Sequence, residues 1–525
     1  MLTFIFSLVK NSMKSVIMKR TSIALNDISK IFKRCFSIFN NRNWTALIVL
    51  FLVAFGFYLR IYDLGYQSLW IDESYSITAA LGMIEHLIPY MPSGVVYSRG
   101  ILNTGLIALS MRLFGVSEFS ARLPSVLFGT MTILLVYVFF RKVFGEKIAL
   151  ASAFLVTFSV VEIAWSRQAR MYQQLQFFYI LSLYLFYRYV HSKEIKFLAL
   201  AVASVFCAMF THVLGVSLLL VIPLYYFLVN IEMVKNFNKF SKEIIVSGVI
   251  FLAGLLFSQF FFNALTHVMA VRVDYSETYI AYLITFFPVI FYLSVLGVLI
   301  SLRQDWKNSL LLGLGFFIPL YFVFFHEKLV GFRYVFVMLP IMFVFFAKMA
   351  EYVAGIIAKN KIFQSLAIIA MIALVSLTPS FNFFPEKEYY LEPRAPQPDF
   401  KSIYGYLKEN LEEGDVLVDS YPEIASWYGF DPDYWLAFSI SGLPVSDWVV
   451  DREYVYAHVP AVEDLDELKG IYFNNPRGWV VIDSLSRSRL PEGYVDFLDG
   501  NMEVVKDIST LGNFGRVTLY SWGRP

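Results

Sequence analysis

The sequence predicts a multi-span α-helical membrane protein that carries a water-soluble α/β domain at its C-terminal end. Three observations lead there. The chain of 525 residues is 58% hydrophobic and 18% aromatic but only 16% charged. Apolar runs of roughly 17 to 22 residues, the length that crosses a hydrocarbon core of about 30 Å, recur from Trp44 to about Phe381, and about eleven are counted. From Asn382 to Pro525 the balance turns to about 12 Lys plus Arg against about 25 Asp plus Glu, on a chain whose net charge is only +2.

Residues 1–43 read as a basic tail. Lys10, Lys14, Lys19, Arg20, Lys30, Lys33, Arg34 and Arg42 face a single acid, Asp27, and the positive-inside rule places such a segment in the cytoplasm. The apolar stretch Met1 to Val9 is too short to span and no small-residue cleavage pattern follows it, so no cleaved signal peptide is expected. Cys35 lies before the first span and Cys207 inside one, which leaves no disulfide framework.

Residues 44–381 form the membrane part. The first span exits near Arg60, and the second complete span is read as Leu123 to Phe140. Ile101 to Phe114 is too short to cross and is interrupted by Asn103, Thr104, Ser110 and Arg112, so it reads as an interfacial helix. The basic connections Arg141 to Lys147, His191 to Lys196, Lys235 to Lys242, Arg303 to Lys307 and Lys359 to Lys361 then all fall inside. Asp72, Glu73, Arg99, Arg167, Arg170, Tyr172, His212, the Thr266 to Glu277 loop and His326 to Tyr334 fall outside, as does the C-terminal domain.

Residues 382–525 show shorter alternations. Asp399 to Leu411 has helical spacing and stops at Gly414, while Asp415 to Asp419, Trp448 to Val455, Gly478 to Asp483 and Arg516 to Trp522 read as strands. Helical stretches are expected near Asp464 to Leu468 and Pro491 to Leu498. With no Gly-rich phosphate loop, Cys/His metal spacing or Gly-x-Ser-x-Gly elbow, this domain offers no catalytic centre of its own.

The chemistry is expected at Asp72-Glu73, two acids beside a membrane, where charge is costly and usually functional. The structural alternative makes Asp72 an N-cap and Glu73 a first-turn dipole partner. In the functional reading one of them accepts a proton from an attacking hydroxyl, and only one acts because adjacent helix side chains diverge. Arg167 and Arg170, three apart, would share a helix face and offer bidentate donors to a phosphate, or else snorkel to headgroups. Arg99, Lys328 and Arg333 are candidates of the same kind, whereas His212 and His326 read as interfacial polar residues. No spacing suggests a transition metal.

The Asp-Glu loop after span one, the run Leu113-Phe-Gly-Val-Ser-Glu-Phe-Ser-Ala-Arg-Leu-Pro-Ser-Val-Leu-Phe-Gly129 and Ser166-Arg-Gln-Ala-Arg-Met-Tyr172 together resemble the polytopic GT-C glycosyltransferases. Within these the chain is most similar to the protein O-mannosyltransferase, lipid A aminoarabinose transferase and RgtA/B/C/D-like group. Many relatives carry His-Pro-Pro-Leu or Lys-Pro-Pro-Leu where this chain has Ser98 to Thr104. The resemblance implies a GT-C fold and transfer of a mannose-like hexose or pentose from a polyprenyl-phosphate carrier to a glycan, lipid or protein hydroxyl on the outer face.

It further implies Asp72 or Glu73 as the catalytic residue that deprotonates the acceptor, Arg99 near the donor phosphate, and Arg167 to Tyr172 as the second polar outer loop; Arg167, Arg170, Tyr172 and, from its own late outer loop, Arg333 are the expected substrate-binding residues. The donor is the lipid-linked sugar phosphate itself, with no cofactor and no metal. The expected partners are that lipid, the acceptor and the bilayer, and not nucleic acid. An oligosaccharyltransferase or lipid-linked glycan ligase is the alternative enzyme, although the Trp-Trp-Asp run of the former is missing. A transporter would show mid-span charges and a two-fold hydropathy repeat, and the chain has neither.

Overall fold

The computed structural model describes residues 42–230, 274–325, 331–389, 398–439, 444–510 and 515–523. The basic tail before Arg42, the Lys235 to Lys242 connection, His326 and Lys328 lie outside the described residues. Packing divides the chain into Met1–Ala54 and Phe55–Pro525. The described part of the first unit is the opening of one helix, α1 (Arg42–Ile61). Apart from the span that this helix forms, everything below concerns the second unit.

The helices that follow are α2 (Ile71–His86), α3 (Ile101–Phe114), α4 (Glu118–Phe144), α5 (Glu146–Phe158), α6 (Val160–Ser166), α7 (Tyr172–Ser192), α8 (Ile195–Thr211) and α9 (Leu218–Val229). After the gap come α10 (Ser276–Phe286), α11 (Pro288–Gln304), α12 (Trp306–Phe325), the single turn α13 (Arg333–Phe336), α14 (Leu339–Ile357) and α15 (Lys361–Ser376). Among the described residues four helices are long and apolar enough to cross a membrane: Trp44–Ile61 within α1, α4, α12 and α14. A fifth span arises if α10 and α11, bent by 111° where they meet, are taken as one.

The sequence reading counted about eleven apolar runs, and several of them fold as shorter pieces. One run breaks at Ser159 into α5 and α6, and α8 and α15 are only 17 and 16 residues long, while α3 is the 14-residue helix that the sequence already sets apart from the spans. Helix α7 has the length, but its first turns carry Gln173, Gln174 and Gln176.

Local chemistry explains how α4 begins. Ser117 and Ser120 form a reciprocal capping box, which satisfies two of the orphan N–H groups at the helix start. Pro124 has no N–H for the carbonyl four residues back, and the Ser110 hydroxyl donates to that Ser120 carbonyl at 2.6 Å instead. The orphan carbonyls at the end of α5 have a similar partner. Buried Arg60 donates to Val156 O at 3.0 Å and Thr157 O at 3.2 Å, and its Nε reaches Ser166 Oγ at 3.0 Å. Gly129 leaves room for this junction, since a Cβ there would stand 2.2 Å from Ser166 Oγ.

In the C-terminal domain, α16 (Phe400–Asn410) is capped by Asp399, whose side chain accepts from Ser402 N–H. Strand β1 (Val416–Asp419), helix α17 (Pro422–Trp427), β2 (Tyr434–Leu436), β3 (Val449–Val450), β4 (Glu453–Tyr454) and β5 (Ala461–Val462) follow. Then come α18 (Leu465–Asn474), β6 (Gly478–Asp483), α19 (Tyr494–Asn501), β7 (Glu503–Ser509) and β8 (Arg516–Trp522). The six-stranded sheet has the order β5-β2-β1-β6-β8-β7, parallel from β5 to β6 and antiparallel beyond.

Alternate residues of β1, β6 and β8 feed two cores. Leu417, Trp479, Val481 and Leu519 pack with α16 and α17, while Val418, Val480, Ile482 and Tyr520 pack with α18 and α19. The expected strand Trp448 to Val455 is instead the small hairpin β3-β4, because Asp451 and Arg452 adopt positive φ and turn the chain back. Composition changes at Asn382, yet Phe55–Pro525 packs as one unit. Gln67 exchanges two hydrogen bonds with the Tyr389 backbone, and Ile71 at the start of α2 packs on the core beneath α16 and α17.

Candidate active site

The two acids that stand together in sequence part company in space. Helix α2 begins at Ile71 with Trp70 in the N-cap position and no side-chain cap, so Asp72 is a first-turn residue and not the cap considered above. Glu73 turns inward. Its Oε1 accepts from Arg122 Nε and from Ala169 N–H, and its Oε2 from Arg122 Nη2, all at 2.8 Å. Its side chain is 1% exposed. Arg122 spends its remaining donors on the carbonyls of Leu64, Gln67 and Ser68 at 2.8 to 3.0 Å. Glu73 is therefore a buried brace that ties α2 to α4 and to the loop before it, with no approach for a substrate.

Asp72 turns the other way and keeps 23% of its side chain exposed. Its Oδ2 lies 3.1 Å from Arg333 Nη1 and 3.6 Å from Arg170 Nη2. Arg170 is held by three further bonds, donating from Nη1 to Asp72 O at 2.7 Å, Ser76 Oγ at 2.7 Å and Tyr97 OH at 3.3 Å. Burial pulls the Asp72 carboxyl up, but Arg170, Arg333 and Arg99 outweigh it and hold the group below its ordinary value. The result is a carboxylate that stays ionised, at a helix N-terminus that also favours negative charge.

Arg99 is exposed and lies within electrostatic reach of Asp72 and Arg170. Gly100 sets its position. It holds a positive φ of 62°, and a Cβ there would stand 3.2 Å from both Met171 Cβ and Thr211 O, so only glycine fits without strain.

The expected pairing of Arg167 with Arg170 on one helix face does not occur. Helix α6 ends at Ser166 and α7 starts at Tyr172, so both arginines sit in the turn between them and diverge. Arg167 donates to the carbonyls of Arg60 (3.1 Å), Tyr62 (2.5 Å), Asp63 (3.4 Å) and Lys387 (2.9 Å), and its guanidinium lies 5.2 Å from the Tyr389 ring. It is a buried clamp between the end of α1 and the chain entering the C-terminal domain. Tyr172 is buried below Arg170, 5.8 Å from ring centre to guanidinium, and packs on Trp165 at 5.2 Å.

Sequence reasoning missed several neighbours. His212, read as an interfacial polar residue, has its ring 5.6 Å from Tyr172 and 5.8 Å from Tyr334. Its Nδ1 accepts from Leu214 N–H at 3.1 Å, which assigns the proton of the neutral ring to Nε2. Burial, and then Arg170, Arg333 and Arg99, push its pKa down to about 3, so it is neutral in the working range. The C-terminal domain adds Tyr454, whose hydroxyl lies 3.0 Å from that of Tyr75, and Tyr456, which packs on Tyr75 and Tyr97. The one signal for Arg122 was a charged residue inside the quoted run Leu113 to Gly129; nothing in the sequence marked Tyr456.

Among the described residues no group of three or more His, Cys, Asp or Glu side chains could hold a metal ion. The charge gathered here is instead a ring of guanidinium groups around one carboxylate.

This arrangement sits on a recognisable scaffold. Two crystal structures of ArnT from Cupriavidus metallidurans, one apo and one bound to undecaprenyl phosphate, match 91% of this chain and 98% of theirs, each with a TM-score of 0.57 and at 13% and 14% identity. The oligosaccharyltransferase of Archaeoglobus fulgidus in its apo form matches 85% of this chain and 70% of its own at TM-score 0.58 and 13% identity. The fold is that of the GT-C glycosyltransferases. Within that class, residues 99–262 match the family model described as dolichyl-phosphate-mannose-protein mannosyltransferase, just under a third of the chain. An uncharacterized protein of Aquifex aeolicus (strain VF5) is 32% identical over 152 residues, a match spanning 28% of this chain and 30% of the relative's length.

Proposed function

We propose that this chain is a membrane glycosyltransferase that moves a mannose-like hexose or a pentose from a polyprenyl-phosphate carrier to an acceptor hydroxyl on the outer face of the membrane. The observation that carries the reading is Asp72, a partly exposed carboxylate ringed by Arg170, Arg333 and Arg99 on a GT-C scaffold. ArnT has been crystallised with undecaprenyl phosphate, a lipid of the proposed carrier class.

In the proposed reaction the acceptor hydroxyl docks on Asp72, which orients it and takes its proton as the new bond from its oxygen to the anomeric carbon forms. The bond from that carbon to the carrier's phosphate oxygen breaks, and the phosphate leaves with the electron pair. Its growing negative charge falls beside Arg99, Arg170 and Arg333. Fixed cations aimed at developing charge are usually the largest electrostatic contribution to catalysis. Because Arg170 and Arg333 also hold Asp72, their shift toward the leaving phosphate would raise the carboxylate's basicity at the moment the proton transfers.

Glu73 and Arg167 support this machinery and do not touch substrate in this reading. His212 offers Nε2–H as a neutral donor beside the same arginines. The basic N-terminal tail is assigned to the cytoplasm, and the C-terminal domain to the outside with the site it covers.

Labelled polyprenyl-phospho-sugars supplied to membranes that contain the protein test the proposal. The expected result is label transferred to a hydroxyl-bearing acceptor. The mass added to the product separates a single sugar from the preassembled glycan of an oligosaccharyltransferase or ligase. Uptake of the lipid without a new glycosidic bond would overturn it.

A further inference from the structure

Among the described residues the C-terminal domain meets the aromatic surround of the site through Tyr454 and Tyr456. Tyr456 lies between β4 and β5, and its ring makes T-shaped contacts with Tyr75 (centroids 5.2 Å apart, planes at 63°) and Tyr97 (6.2 Å, 74°). Trp448 backs it at 5.9 Å. The tyrosine is half-buried, and its hydroxyl lies within electrostatic reach of Arg99 and Arg170.

Both of its partners are anchored to the charged centre. Tyr75 follows Asp72 by three residues on α2, the spacing that shares a helix face. Tyr97 stands two residues before Arg99, and its hydroxyl accepts from Arg170 at 3.3 Å. Tyr456 thus packs on two residues that neighbour the carboxylate and the exposed arginine along the chain.

The segment that carries Tyr456 is fixed at both sides. Ser93 donates to Val455 O at 2.6 Å, Val455 N–H to Trp448 O at 2.8 Å, and Ala457 N–H to Tyr454 O at 3.1 Å. The hydroxyl pair of Tyr75 and Tyr454 pins the residue two positions before Tyr456 to α2. Such a ring is pre-positioned and loses little freedom on binding, the condition under which an aromatic side chain contributes most to a site.

We propose that Tyr456 is a sugar-binding residue that presents its ring to the apolar C–H face of the donor's sugar, so that the C-terminal domain selects the glycosyl group while the membrane part holds the phosphate. This rests on the glycosyltransferase reading above. If Arg99, Arg170 and Arg333 hold the phosphate and Asp72 faces the acceptor, the sugar lies beside this cluster, against half-buried Tyr456 with the buried Tyr75 and Tyr97 behind it. The stacking needs the ring and not the hydroxyl.

The test compares the full-length wild type, Tyr456→Ala and Tyr456→Phe for binding of undecaprenyl phosphate and of undecaprenyl-phospho-hexoses and -pentoses, read as ligand-induced shifts in melting temperature. Wild type and Tyr456→Phe are expected to prefer at least one sugar-bearing lipid to the bare one. In Tyr456→Ala that preference should fall by about 5- to 10-fold, the size of one aromatic packing partner, with binding of undecaprenyl phosphate unchanged. An alanine variant that keeps the wild-type preference would overturn the inference and leave the donor reading standing. Equal weakening of bare and sugar-bearing lipid would also overturn it, since Tyr456 would then be a packing residue. A wild type that binds none of these lipids would remove the donor reading, and the inference with it.

Discussion

Arg122 and Glu73 face each other through two hydrogen bonds of 2.8 Å with almost no solvent access, and this pairing divides the labour between two adjacent acids. A carboxylate locked so firmly has no lone pair directed at a substrate. Asp72, one residue earlier, is left with the more exposed position, beside Arg170 and Arg333.

Removing one partner of the Arg122-Glu73 pair leaves the other charge buried and uncompensated, a loss of about 3–5 kcal/mol. Arg122→Ala and Glu73→Ala are therefore expected to yield unstable protein, read as a lower melting temperature and poor recovery from membranes. Stable, well-recovered variants would show that the brace does not carry the fold.

Arg167 and Arg170 stand three residues apart and are expected to behave differently. Arg167 donates to four backbone carbonyls, so Arg167→Ala should cost stability, on the order of 1.5–3 kcal/mol for a charged hydrogen-bond group, while the folded fraction keeps its donor KM. Arg170→Ala should raise donor KM and lower kcat. Steady-state kinetics and melting curves on the same preparations separate the two, and equal kinetic losses would contradict the assignment.

The pH dependence has a definite sign. Asp72 is held below the ordinary carboxylate value, so it is still in its base form at that value and is protonated only as pH falls further. The acid limb of kcat/KM should accordingly lie below about pH 4. Arg333→Gln removes one of the groups that depress it, and the limb should move upward. A pH-rate series on both proteins checks this; an unmoved limb would contradict it.

The C-terminal domain should respond to pH in the opposite direction. Burial pushes Glu423 up to about 8 and Asp419 up to about 7, from ordinary values of 4.5 and 3.8. Between about pH 4 and 8 the folded state retains protons that the unfolded chain has released, so stability falls as pH rises through that window. Proteolysis of the domain should be slower at pH 6 than at pH 8.5, and Glu423→Gln should reduce the difference. Faster proteolysis at the lower pH would be inconsistent with these buried acids.

Much of this was legible in the sequence, for physical reasons. Apolar length and the acidic break after Asn382 report burial in lipid and exposure to water, and the helical spacing after Asp399 with the short apolar run Gly478 to Asp483 reports local backbone preference. What was hidden depends on contacts across the chain. Nothing local tells Asp72 from Glu73, because the difference is made by Arg122, 49 residues away. The three-residue spacing of Arg167 and Arg170 misled because the helix ends at Ser166. Tyr456, from a domain without a catalytic motif, meets α2 only through tertiary packing.

The most direct measurement is the rate of sugar transfer by purified Asp72→Asn with a saturating polyprenyl-phospho-sugar. The substitution keeps shape and removes the proton acceptor, and a positioned general base contributes about 10²- to 10⁴-fold. The account predicts a loss of at least about 100-fold with donor binding retained. A rate within a few-fold of wild type would show that Asp72 is not the residue that receives the acceptor's proton.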